Sequence, residues 1–96
     1  MHQKVSFLKT QLEDGLPGSS VEHTFADDLH EFRINLKGGG IHWVMFGRET
    51  MDAMDAAGLC TLLETYQVVD GLKESSFSKR ILLTRYGPLD YATPKA

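Results

Sequence analysis

The stretch from Ile41 to Gly87 constrains the fold most, because it reads without a gap as strand, helix and strand. IHWVMF is apolar at nearly every position, which suits a strand covered on both faces. A polar joint, GRET, leads into a long helical pattern, MDAMDAAGLCTLLETYQVV, and RILLTRY then returns as a second strand. At 100° per residue Met51, Met54, Gly58, Leu62, Tyr66 and Val69 fall within about 120° of one another, flanked by Leu59, so this face is expected to be core. Glu49, Asp52 and Asp55 surround the first turn, Thr50 or Asp52 is the expected cap, and Asp70-Gly71 is the expected stop. With a helical crossover between them, the two strands are expected to be parallel.

Upstream, Phe32, Ile34 and Leu36 alternate with Glu31, Arg33, Asn35 and Lys37, the pattern of a strand buried on one face. Gly38, Gly39 and Gly40 stand between that run and IHWVMF, and a triglycine between two strands reads as a hairpin loop rather than a phosphate cradle. The first forty residues are less regular than the rest. Val5 and Phe7 alternate with polar neighbours and suggest a short strand. EDGLPGSS, residues 13–20, reads as a flexible loop, and VEHTF as a second extended stretch.

With 96 residues the chain is expected to form one domain with a short tail at 88–96. The expected class is α+β, a two-layer sandwich. Its mixed sheet holds an N-terminal antiparallel hairpin, Glu31–Leu36 with Ile41–Phe46, followed by one strand–helix–strand unit ending at Arg80–Arg85. One helix cannot cover both sides of such a sheet. Its exposed face or edge is therefore expected to be protected by the N-terminal segment or by a second copy, making a homodimer or another protein the expected partner, with Trp43 and Phe46 at the interface.

A net charge of −3, with basic residues scattered among acidic ones, argues against nucleic acid or an anionic membrane as partner. No window approaches the length of a membrane span, and a lone cysteine suits the cytoplasm. His2, His23, His30 and His42 lack metal-ligand spacing with one another or with Cys60, so neither a metal nor a cofactor is expected. His42, inside an apolar strand, reads either as a buried acid or base or as a hydrogen-bonded structural histidine. Asp55 falls about 40° from Met51 on the apolar stripe and reads as a helix cap before a catalyst. Cys60 and the loop serines have no nucleophile pattern, so no catalytic residue is assigned. Arg48, His42 and Asp55 are the candidate ligand-binding residues.

The run GGGIHWVMFGRETMDAMDAAGLCTLLETYQVVDG with RILLTRYG resembles the beginning of crotonase superfamily proteins, the enoyl-CoA hydratases and isomerases. Phe46-Gly47-Arg48 stands where that family has L-N-R, Asp52-Ala53-Met54-Asp55 where it has N-A-L-D, and Ile81–Thr84 in its next strand. Glu49 replaces the family's proline and Asp52 its asparagine. The resemblance covers about half the chain and implies an acyl-CoA-related protein active only with a partner, since the family's oxyanion-hole amides and carboxylates lie beyond this strand. Asp55-Ala56-Ala57-Gly58-Leu59 is also similar to the D-S-x-G-L helix start of STAS regulatory domains, with Ala56 at the phosphorylated serine. The expectation from the residues themselves is a small non-enzymatic binding or protein-interaction module.

Overall fold

Among the described residues a five-stranded sheet carries four helices on one of its faces. The computed structural model describes residues 2–75 and 77–90, and Ser76 and tail residues 91–96 lie outside them. In chain order the elements are α1 (His2–Gly15), β1 (Ser20–Ala26), β2 (Leu29–Asn35), β3 (Ile41–Gly47), α2 (Arg48–Ala53), α3 (Ala56–Thr65), α4 (Val68–Glu74), β4 (Arg80–Thr84) and β5 (Gly87–Asp90). Sheet order is β1-β2-β3-β4-β5. The β3–β4 pair is parallel and the other three pairs are antiparallel. This is the expected α+β class, with the expected hairpin and parallel crossover inside it.

The N-terminal segment is a helix, not a strand. Val5, Leu8 and Leu12 recur at helical spacing, Leu8 and Leu12 are completely buried, and Leu16 follows them into the core. That periodicity outweighs the two-residue alternation of Val5 and Phe7, since Phe7 stays 40% exposed. The expected 13–20 loop shrinks accordingly, because α1 runs through Gly15, Leu16 is buried and Ser20 opens β1.

Chain reversals follow turn chemistry. Asp27 and Asp28 both have positive φ (53° and 60°) between paired Ala26 and Leu29, a two-residue hairpin whose twist suits the flanking strands. Between β2 and β3, Gly38 and Gly39 take φ of 107° and 104°, which side-chain-bearing residues avoid.

The single long helix expected over 51–69 is three short ones. Met54 and Asp55 are extended (ψ 144° and 175°), ending α2 and starting α3, and Gln67 adopts the left-handed conformation between α3 and α4. These breaks rotate the apolar stripe from piece to piece. Met51, Leu59 and Leu62 reach the core as expected, Leu63, Val68 and Leu72 join them, and Tyr66 swings out to 38% exposure. Gly47 precedes α2 without a side-chain cap, so neither Thr50 nor Asp52 serves that role. Gly71 lies inside α4, which ends at Glu74 with Ser75 as its C-cap. Lys4 ties the layers of helix together by donating from Nζ to the Met51 carbonyl at 2.6 Å.

The core lies between the helices and the inward residues of the strands: Val21, Phe32, Ile34, Val44, Phe46, Ile81 and Leu83. Phe46 is fully buried and meets Phe32 edge to face at 5.9 Å. It belongs to the interior of one chain and is not displayed at a surface, correcting its assignment to an interface. IHWVMF has helices over only one face. The expected 88–96 tail is also revised, since residues 87–90 form the edge strand β5 beside β4.

Candidate functional site

Strand alternation decides what the uncovered face presents. His42, Val44 and Phe46 point to the helices, which leaves Ile41, Trp43 and Met45 on the other side. Register sets Arg33 and Arg80 on either side of Trp43, Glu31 and Leu82 on either side of Met45, and Leu89 beyond Leu82. At the centre, the Arg80 guanidinium lies 5.6 Å from the Trp43 ring centroid. The same group reaches Met45 Sδ at 3.9 Å and pairs with Glu31 Oε2 at 3.7 Å. Met45 is 1% exposed, while Leu89 remains 56% exposed. The result is an apolar patch with an ordered tryptophan–arginine pair inside it.

The three candidate ligand-binding residues do not converge. Arg48 sits at the surface where β3 meets α2 and bridges Asp28 (3.6 Å) and Asp52 (3.7 Å), both exposed. His42 is buried near the opposite end of β3, about 17–20 Å along the strand at its usual rise. Its Nδ1 accepts from the Lys79 N–H at 3.1 Å. Burial holds the His42 pKa below the ordinary value, the Leu72 backbone opposes that, and Lys79 adds to it. Nε2 makes no hydrogen bond of good geometry, so the ring is a neutral structural acceptor. Asp55 caps α3, with Oδ1 accepting from the Gly58 N–H at 2.7 Å. Asp55→Ala is therefore expected to lower stability by about 1 kcal/mol, read from urea denaturation midpoints; an unchanged midpoint would remove the capping role.

Cys60 lines a hollow of about 330 Å³ between α1, α3 and α4, with Gln11, Glu64, Gln67 and Asp70. Its thiol donates weakly toward Gln11 Oε1 (3.5 Å) and Glu64 Oε1 (3.6 Å). Burial first, then the Glu64 charge and hydrogen bond, push the thiol pKa up. A protonated thiol is a poor nucleophile.

The fold also assembles a pair that sequence spacing did not reveal. His23 Nε2 and His30 Nδ1 lie 2.9 Å apart, so one ring donates and the other accepts. Their rings are stacked at 5.2 Å and flanked by Phe32 beside His23 and Phe25 beside His30. Burial lowers both pKa values; His30 and Lys9 lower that of His23 further, and Asp52 opposes the shift at His30. Folding VEHTFADDLHEF about its Asp-Asp turn would have found this pair, because positions 23 and 30 then become diagonal neighbours on one face. Among the described residues no group of three or more His, Cys, Asp or Glu is placed to hold a metal ion. No helix among them is long and apolar enough to cross a membrane.

Comparison with protein-family models, with curated proteins and with solved structures finds no match to this chain.

Proposed function

We propose that the chain is a small non-enzymatic protein-interaction module that receives its partner on the open sheet face. The observation that carries this reading is the one-sided arrangement of the fold: four helices cover one face of the sheet, and Trp43, Leu82 and Leu89 are left on the other with Arg33, Glu31 and Arg80 among them. Tryptophan and arginine supply much of the energy at protein interfaces, and the ion pair with Glu31 holds Arg80 oriented before any partner arrives. The polar groups elsewhere support a binding role over catalysis. His42 and Asp55 are occupied by backbone N–H groups, and the Cys60 thiol is protonated. Cytoplasmic residence belongs to the same proposal.

Trp43 is the sole tryptophan of the chain, so its emission reports this face directly. A protein captured by the wild-type domain should shift that emission to the blue on titration. Trp43→Ala should weaken its binding by about thirtyfold, the effect of losing an interface anchor of roughly 2 kcal/mol, while the variant still unfolds in one cooperative transition. Equal binding to both forms would refute the assignment of the face. In the rival acyl-CoA-related reading, a thioester raises the melting temperature and Arg48→Ala abolishes the rise; here no rise is expected, because Arg48 is held between Asp28 and Asp52.

A further inference from the structure

The two edges of the sheet differ. β5 has four residues and contains Pro88, which has no N–H to offer a neighbouring strand. β1 has seven residues, SVEHTFA, without proline, lysine or bulge. The two-residue turn makes Ala26 and Leu29 the closing hydrogen-bonded pair, so the backbone groups of Glu22 and Thr24 face β2 while those of Val21, His23 and Phe25 face outward. The Val21 N–H confirms that phase: it donates out of the sheet to Glu13 Oε2 at 3.0 Å. No strand pairs with the outer side of β1 among the described residues.

Read in either direction from His23, this edge carries the same classes of side chain. Glu22 and Thr24 are polar, Val21 and Phe25 apolar, Ser20 and Ala26 small. We propose that β1 is a self-recognition strand, pairing antiparallel with β1 of a second copy about a twofold axis at His23 and joining two five-stranded sheets edge to edge. In that register the outward residues Val21, His23 and Phe25 fall opposite Phe25, His23 and Val21 of the second copy, so their backbone groups can exchange hydrogen bonds. Phe25, 50% exposed in the single chain, gains an apolar cross-strand neighbour on the helix-bearing face. On the open face Glu22 meets threonine rather than a second glutamate. Glu13 is then a guard: its carboxylate occupies the Val21 N–H in the single chain and is displaced by the Phe25 carbonyl of the second copy. This contact is independent of the open face around Trp43.

Sedimentation velocity over a concentration series, with amide-resolved hydrogen exchange on the same full chain, tests the proposal. Wild type should dimerise, and the His23 and Phe25 amides should exchange more slowly as concentration rises. Phe25→Lys, which places a charge on the edge, should weaken dimerisation by about tenfold or more and free both amides. Protection of the Glu22 and Thr24 amides, which face β2, should persist in the variant and shows that the hairpin still folds. A single-chain mass up to millimolar concentration would overturn the proposal. So would a dimer whose His23 and Phe25 amides exchange freely, since its contact would lie elsewhere.

Discussion

Phe46→Ala is expected to destabilise the chain by about 3–5 kcal/mol, a large part of what a domain of this size possesses. The side chain is fully buried between the sheet and the helices, and its ring meets Phe32 edge to face. Truncation loses the transfer free energy of the ring and leaves a cavity that β3, paired on both sides, cannot collapse to fill. Urea denaturation at fixed protein concentration measures the loss. A cost below about 1 kcal/mol would mean that Phe46 is not part of the interior.

Mild acid is expected to be the second large perturbation. His23, His30 and His42 all have pKa values lowered chiefly by burial. In the unfolded chain each binds a proton near pH 6.5, whereas in the folded chain each stays neutral to lower pH, so the unfolded state binds more protons. The contribution of these groups is fully present above pH 6.5 and is lost as pH falls through the folded pKa values. Each buried ring contributes a slope of at most about 1.4 kcal/mol per pH unit. His30 and His42, the more buried rings, carry the larger shares of that slope, and half-buried His23 less. Denaturation between pH 7 and pH 5 reads this before most carboxylates titrate. His30→Gln should flatten the profile by the share of its own ring and by part of that of His23, whose pKa His30 helps to lower. A profile with no slope in that window would eliminate the shifted histidines as a source of acid sensitivity.

Several elements of the fold were legible in the chain because their signal is local and strong. Phe32, Ile34 and Leu36 alternate, three glycines follow, and an apolar strand comes next; that hairpin stands as expected, and β3 and β4 are parallel as the crossover required. The helical region was read too smoothly. An uninterrupted 3.6-residue pattern from Met51 to Val69 says nothing of the turn at Met54-Asp55, which arises because Asp55 binds the Gly58 N–H and starts a new helix. The capping reading of Asp55 was therefore right while the continuous helix around it was not. α1 was missed for the opposite reason: its apolar positions are few, and packing of Leu8 and Leu12 on the sheet, rather than propensity, makes it helical. Among the site residues, Trp43 was placed by its apolar strand, but Arg80, Met45 and Glu31 meet only when β2, β3 and β4 are in register. Such a cluster depends on pairings between distant parts of the chain and leaves no spacing to read.

A sheet whose strands lie in the order in which they occur along the chain has a consequence for how it is assembled. Three of its four pairings join neighbours across short turns, and only β3 with β4 must close the span from Arg48 to Lys79. Closing that span costs on the order of 2 kcal/mol more in chain entropy than closing a two-residue turn. The meander from β1 to β3 can therefore organise at small entropic cost, while the parallel pairing waits on the long closure. The speed at which this chain folds is set less by its many local turns than by that single long closure.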